Sequence, residues 1–271
     1  MRLLSWNVAQ HRVSWDELAR EGADVALLQE ASPPPADCPI EVLPAVRDDW
    51  STVGWRRRWR TAIARLSTNV ELVERAATSI EAPDAGVVVS RLGSLTAADV
   101  VVDGVAEFTV VSMYAAWETP AGRDRPIFAD ASVHRLLSDL AALVPSPGGH
   151  AVIAAGDLNI LHGYGEHGSA YWAARYATVF DRAEAMGLRF IGPQEPHGRQ
   201  ASPRPPELPE GSRDVPTYHT RTQGPMGATR QLDFVFASEP LAERITVHAL
   251  NTNEAEWGPS DHCRIVIELE S

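Results

Sequence analysis

Four short segments each place a residue able to handle a metal or a phosphate at the end of an apolar run. They are Leu4-Ser5-Trp6-Asn7-Val8, Leu27-Leu28-Gln29-Glu30, Ala155-Gly156-Asp157-Leu158-Asn159 and Pro259-Ser260-Asp261-His262-Cys263. Glu30 offers a hard carboxylate oxygen, the donor that Mg²⁺ or Mn²⁺ prefers. Asn7, at the end of the first apolar run, carries an amide that can orient a metal ligand or touch phosphate. Asp157 can take a proton from water or hold the water in line with phosphorus, and Asn159 can fix the phosphate. His262 suits acid–base work or, when protonated, the stabilisation of charge on a pentacovalent phosphate. Asp233 lies inside the apolar run Gln231-Leu232-Asp233-Phe234-Val235. A carboxylate there is costly to bury unless paired, and an imidazole would satisfy it.

These residues need elements to hold them. Apolar runs at 2–8, 24–29, 86–90, 107–114, 151–155, 231–237 and 263–269 predict strands, several of them continuous enough to be covered on both faces. Ser14-Trp15-Asp16-Glu17 reads as a capping box, with Gly22 as the helix stop. Apolar residues at helical spacing predict a helix over 133–144 ended by Pro145, and a further helix is expected over 171–186 closed by Gly187. Strands alternating with helices make this an α/β chain. The stretch 193–225, rich in Pro, Gly, Arg and polar residues, reads as an insertion within a single domain spanning 1–271. Long loops of this kind serve a binding function or lie disordered on the surface.

Taken together and in order, the segments resemble the endonuclease/exonuclease/phosphatase superfamily, which includes DNase I-like and exonuclease III-like enzymes. The resemblance runs from Asn7 to His262. It implies a four-layer α/β sandwich, with two central mixed β-sheets flanked by helices. It further implies that Glu30 holds a Mg²⁺ (or Mn²⁺) ion with Asn7 close by, and that Asp261 lies near that metal or a second one. Asp157 would then position or deprotonate the attacking water, with Asn159 on phosphate and an Asp233–His262 pair at the scissile bond. Tyr114 stands where family members carry tyrosine or histidine; its hydroxyl could bond phosphate, or its ring could simply pack at the strand end. Tyrosine there is similar to the exonuclease III and AP-endonuclease branch. Ala9 and Trp117 replace an acidic residue and an asparagine of that branch, which leaves the metal site in place but counts against abasic-site repair.

Substrate choice rests on weaker signals. Trp55-Arg56-Arg57-Arg58-Trp59-Arg60 is the densest basic patch; Arg57 could meet phosphate and Trp59 a base, or the tryptophans could simply pack on a sheet. Arg221, Arg230 and Trp257 are further substrate-binding candidates. A formal net charge of −12, from 24 Lys and Arg against 36 Asp and Glu, weighs against non-specific coating of nucleic acid, but a local basic groove remains compatible with it. Composition is that of an ordinary globular chain, 44% hydrophobic and 22% charged. Cys38 and Cys263 form no disulfide framework and read as reduced thiols. Trp6 and Asn7 break the first apolar run before it resembles a signal peptide, and no stretch is long enough to span a membrane. The expectation is a cytoplasmic, metal-dependent phosphodiesterase acting on nucleic acid, with no obligate protein partner. The alternatives are a phosphatase or phosphodiesterase for a small-molecule, phospholipid or protein-linked nucleotide substrate, and a catalytically silent binding module.

Overall fold

The computed structural model describes residues 1–45, 50–52, 58–122, 124–144 and 151–270. In chain order the first seven strands are β1 (Arg2–Asn7), β2 (Val25–Ala31), β3 (Glu41–Leu43), β4 (Arg60–Arg65), β5 (Glu71–Arg75), β6 (Ala77–Ser79) and β7 (Val87–Val89). The rest are β8 (Leu95–Val102), β9 (Val105–Tyr114), β10 (Val152–Asp157), β11 (Leu188–Gly192), β12 (Asp233–Ser238), β13 (Ile245–Leu250) and β14 (Arg264–Leu269). The α-helices are α1 (Ser14–Leu18), α2 (Ala129–Leu140), α3 (Ala170–Ala185) and α4 (Glu239–Ala242).

Two sheets of six strands dominate, ordered β13-β14-β1-β2-β4-β3 and β11-β12-β10-β9-β8-β5, while β6 and β7 form a small pair. Both large sheets are mixed: β1 runs parallel to β2 and antiparallel to β14, and β10 parallel to β9 and antiparallel to β12. The sheets face one another across a core that takes Leu3, Val25, Leu27 and Ile63 from the first and Val110, Ile153, Ala155 and Val235 from the second. Trp15 and Leu18 of α1 cover the outer face of the first sheet against Leu4, Trp6 and Leu28. Leu136, Leu137 and Val179 of α2 and α3 cover the second against Val152, Ala154 and Phe234. Strands buried on both faces are the reason the sequence reads as continuous apolar runs rather than as alternation. The expected α/β sandwich with helices outside two central mixed sheets is the observed fold.

Local expectations fare unevenly. The third expected helix is α3, displaced by one residue, with Met186 at its C-cap and Gly187 at φ 83° beyond it. Helix α2 ends at Leu140, short of the expected 144, yet Leu143 and Val144 still pack on the same cluster from the following turns. Pro145, expected to end that helix, lies outside the described residues. The capping box does not form. Val13 already has helical angles, so Ser14 sits inside the first turn; its hydroxyl is buried and finds no partner. The stretch 193–225 carries no strand and no α-helix, but it is well tied down. Asn251 donates to the carbonyls of Arg199 (2.9 Å) and Pro216 (2.8 Å), and isolated bridges join Tyr218 to both Arg230 and His262. No described helix is long and apolar enough to cross a membrane.

One close approach fixes the second sheet beside the candidate residues. A Cβ at Gly156 would lie 1.9 Å from the Met113 carbonyl oxygen, so any side chain there forces β9 and β10 apart. Gly156→Ala is expected to cost about 3 kcal/mol or more. A urea midpoint within experimental error of the wild type would contradict this reading of the β9–β10 contact.

Candidate active site

The period of two along each strand explains which side chains converge. On β1, Leu3 faces the inter-sheet core, so Ser5 and Asn7 follow on that face; on β10, Ile153 and Ala155 lead to Asp157; on β12, Val235 and Ala237 share the face of Asp233. The sandwich therefore ends at one rim in Asn7, Asp157 and Asp233, each 1% exposed. A polar rung lies beneath them: Gln29 donates to the Ser112 hydroxyl of the opposite sheet at 3.0 Å, and Ser112 to the Leu28 carbonyl at 2.7 Å.

Asp157 is held from three sides. Its Oδ2 accepts from Asn7 Nδ2 (3.0 Å) and Asn159 Nδ2 (3.1 Å), and its Oδ1 from the Asn159 backbone N–H (2.9 Å). The Asn159 amide also donates to the Ala115 carbonyl (3.1 Å), and its oxygen accepts from Trp117 Nε1 (3.2 Å). Both of its N–H groups are thus engaged within the protein. In this arrangement both N–H groups face protein acceptors, one of them Asp157, whereas the sequence suggested a contact with phosphate. Asn7 behaves similarly, since its Oδ1 already accepts from Ala9 N–H at 3.0 Å.

His262 leads into β14 from a loop stapled to β1. Ser260 Oγ donates to the Asn7 carbonyl (2.6 Å) and accepts from His262 N–H (3.1 Å), while Trp6 Nε1 donates to the His262 carbonyl (3.0 Å). The imidazole Nδ1 then meets Asp233 Oδ2 at 2.8 Å, and Nε2 lies 3.8 Å from Asp157 Oδ2. Burial alone lowers the His262 pKa, but the carboxylates of Asp233 and Asp157 outweigh it and raise it to about 10. Burial pushes Asp157 up to about 7; Asp233 and Glu30 add to the rise and His262 opposes it. The two flanking carboxyl groups thus favour the charged imidazolium over the neutral ring.

Glu30 reaches the site through an irregularity. The β2–β4 register shifts between Leu28 and Ala31, and Glu30 has φ 48°, a bulge that re-aims its side chain. Gln10 Nε2 donates to Glu30 Oε2 at 3.0 Å. Glu30, Asp157, Asp261 and His262 line one pocket of about 750 Å³. The donor set of Glu30 and Asp261 is all hard oxygen and suits a divalent cation such as Mg²⁺. The donor atoms of Asp157, Asp233 and His262 also lie within 4.8 Å of one another, but a cation there would have to displace the proton shared by Asp233 and the ring. The Glu30 side is the better fit.

The remaining sequence candidates separate. Arg221 and Arg230 line the pocket. Trp257 is fully buried behind it, edge-on to His219 at 5.1 Å. Tyr114 pairs with Asp157 in the β9–β10 register, yet its ring is buried edge-on against Trp59 at 4.7 Å. Trp59 is 1% exposed, so it packs on the sheet and offers no face to a base. Arg57 lies outside the described residues, as do Trp55 and Arg56. The pocket also gathers Gln10, Glu166, Tyr218 and His219, none of which the sequence singled out. They sit in loops without periodicity, and only the Tyr218-His219 dipeptide within the polar stretch offered any signal.

The family model described as endonuclease/exonuclease/phosphatase family matches residues 4–262. Among solved structures, the endonuclease domain of a telomere-specific non-LTR retrotransposon is 17% identical with a TM-score of 0.61, covering 100% of this chain and 98% of that one. An AP endonuclease from Archaeoglobus fulgidus is 17% identical, with a TM-score of 0.60 and full coverage of both chains (100% and 100%). A 3'-5' exonuclease from Neisseria meningitidis is 16% identical, with a TM-score of 0.60 and 100% coverage of each. At such identities these likenesses speak for the fold. No curated protein sequence matches the chain.

The imidazolium depends on its carboxylate partners, which gives a signed expectation. His262 should stay doubly protonated through neutral pH in the metal-free protein, and Asp233→Asn should bring its pKa down toward the ordinary 6.5. Nitrogen-15 chemical shifts of the ring read this directly. A wild-type ring that is neutral at pH 7 would overturn the assignment.

Proposed function

The chain belongs to the endonuclease/exonuclease/phosphatase family, and from that premise we propose that it is a divalent-metal phosphodiesterase whose substrate is nucleic acid. The observation that carries the reading is the buried Asp233–His262 pair, closed at 2.8 Å, with Asp157 Oδ2 3.8 Å from the far nitrogen, on the floor of a pocket shared with Glu30 and Asp261. Mg²⁺ or Mn²⁺ bound at Glu30, with Asp261 near it, supplies positive charge to the phosphate oxygens and the leaving group. Asp157, brought near neutrality by burial, holds the attacking water and takes its proton. Asn7 and Asn159 keep that carboxylate aimed. His262, kept charged by Asp233, bonds the phosphate oxygens as negative charge builds on them.

Nucleic acid is favoured as substrate by the structural relatives, an AP endonuclease and an exonuclease among them, and by Arg221 at the pocket. A second reading, a small phosphate ester, is favoured by the burial of Trp59 and by a pocket whose volume suits a compact ligand. In either case the stretch 193–225 acts as an insertion of one domain that supplies pocket wall through Tyr218, His219 and Arg221. The free thiols Cys38 and Cys263 are consistent with a cytoplasmic location.

The expected outcome is metal-dependent nicking of supercoiled plasmid that chelator abolishes. His262→Ala should lower the rate by about 10³-fold or more. Glu30→Gln should weaken Mg²⁺ binding in calorimetry by about tenfold or more without changing the circular dichroism. Full activity in either variant would refute the roles assigned to these two residues, and cleavage of small esters alone would transfer the proposal to the second reading.

A further inference from the structure

One charged pair in the pocket takes no part in that chemistry. Arg230 meets Glu166 through its two terminal guanidinium nitrogens, Nη2 to Oε2 at 2.9 Å and Nη1 to Oε1 at 3.5 Å, and both residues line the pocket. The pair stands close to the reacting groups. The Arg230 backbone forms an isolated β-bridge with Tyr218 and the Tyr218 backbone forms another with His262, while the Tyr218 ring lies 5.0 Å from the imidazole.

Glu166 is not a loose surface acid. Its side chain is 18% exposed, and the residue before it is locked: a Cβ at Gly165 would lie 2.2 Å from the Ser169 carbonyl oxygen and 2.5 Å from the Ala173 nitrogen at the start of α3. The chain before Glu166 is thus packed closely against the start of α3. A forked arginine–carboxylate contact is the geometry in which a guanidinium would also hold two phosphate oxygens. The seat for a second anionic oxygen is already taken by a carboxylate.

The geometry points to Glu166 as a specificity-determining residue that, by occupying Arg230, selects singly charged phosphodiesters over doubly charged phosphomonoesters. This inference rests on the phosphoesterase reading of the pocket and names its substrate class. A diester carries one negative charge, whereas a monoester carries about 1.5 to 2 at neutral pH. Glu30, Asp157 and Asp261 already contribute carboxyl groups to the same pocket. A monoester's extra charge finds no unpaired guanidinium at Arg230 and meets the Glu166 carboxylate instead, a case of discrimination by an added repulsive element.

The test compares wild type, Glu166→Gln, Arg230→Gln and the double variant at pH 8 with Mg²⁺. It measures kcat/KM for bis(4-nitrophenyl) phosphate and 4-nitrophenyl phosphate, and the Kd of inorganic phosphate by calorimetry. Glu166→Gln should raise the monoester-to-diester ratio and tighten inorganic phosphate, each by about tenfold. The double variant should return both toward wild type, because the freed arginine is the cause. Arg230→Gln alone strips Glu166 of its counter-charge and should weaken inorganic phosphate, a loss that the double variant removes. An unchanged ratio and Kd in folded Glu166→Gln, or a double variant that keeps the tightened phosphate binding of Glu166→Gln, overturns the inference. Should no protein hydrolyse either ester, the activity reading fails, and the phosphate affinities decide the filter on their own.

Discussion

Two carboxyl groups and an imidazole share the buried rim of a β-sandwich, and the rest of the site depends on how that burial is tolerated. Asp157 and Asp233 are each 1% exposed and continue strands whose neighbouring core-facing residues are apolar. Either carboxylate alone would pay a desolvation penalty that its hydrogen bonds only partly offset. A charged ring between them, 2.8 Å from one and 3.8 Å from the other, turns two liabilities into one cluster with a small net charge. This is the reason the His262 loop is anchored so firmly to β1 through Ser260 and Trp6. If the ring moved, both acids would be left without their counter-charge.

The requirement for convergence also constrains the sheets. Asn7 belongs to one sheet and Asp157 to the other, so their 3.0 Å bond fixes the spacing between sheets at the rim. The rung of Gln29 and Ser112 does the same one layer deeper. A slip of one residue in β1 or β10 would turn these side chains to the outer face, where α1 or α2 and α3 pack. Gly156 contributes by admitting the Met113 carbonyl against β10 at a distance no other residue could accept. Glu30 is the exception to the period-two rule, and the β2 bulge redirects it into the pocket.

Those differences explain what could be read in advance. The strand ends carrying Asn7, Asp157 and Asp233 were legible because doubly covered strands write long apolar runs, and a polar residue closing such a run is conspicuous. Helix α2 was legible through its periodicity, and helix α3 through its closing Gly187. Edge strand β13 was not, because it alternates between buried and half-buried positions over only six residues. The burial of Trp59 could not be separated from a stacking role, since both leave the same Trp–Arg pattern. Nor could the engagement of both Asn159 N–H groups be foreseen, as it needs the Ala115 carbonyl and Asp157 brought together by the β9–β10 pairing. Glu166, Tyr218 and His219 meet only through tertiary contacts between loops that have no period.

The acidic character of the chain can be reconciled with phosphate chemistry through these local arrangements. A net charge of −12 repels a polyanion at long range, so attraction has to be generated inside the pocket. Carboxylates are the means of generating it. Asp233 and Asp157 favour the protonated form of His262, and Glu30 with Asp261 offers oxygen donors of the kind a divalent metal takes. Each acid near the reacting centre thus recruits a positive charge and fixes its position, whereas a free arginine would supply charge without alignment. Glu166 applies the same pairing to Arg230 with the opposite result, lowering the positive charge on offer where a second anionic oxygen would sit. Recruitment at the centre and neutralisation at the edge together give a pocket graded in charge, and such a gradient distinguishes substrates by how many charges they bring.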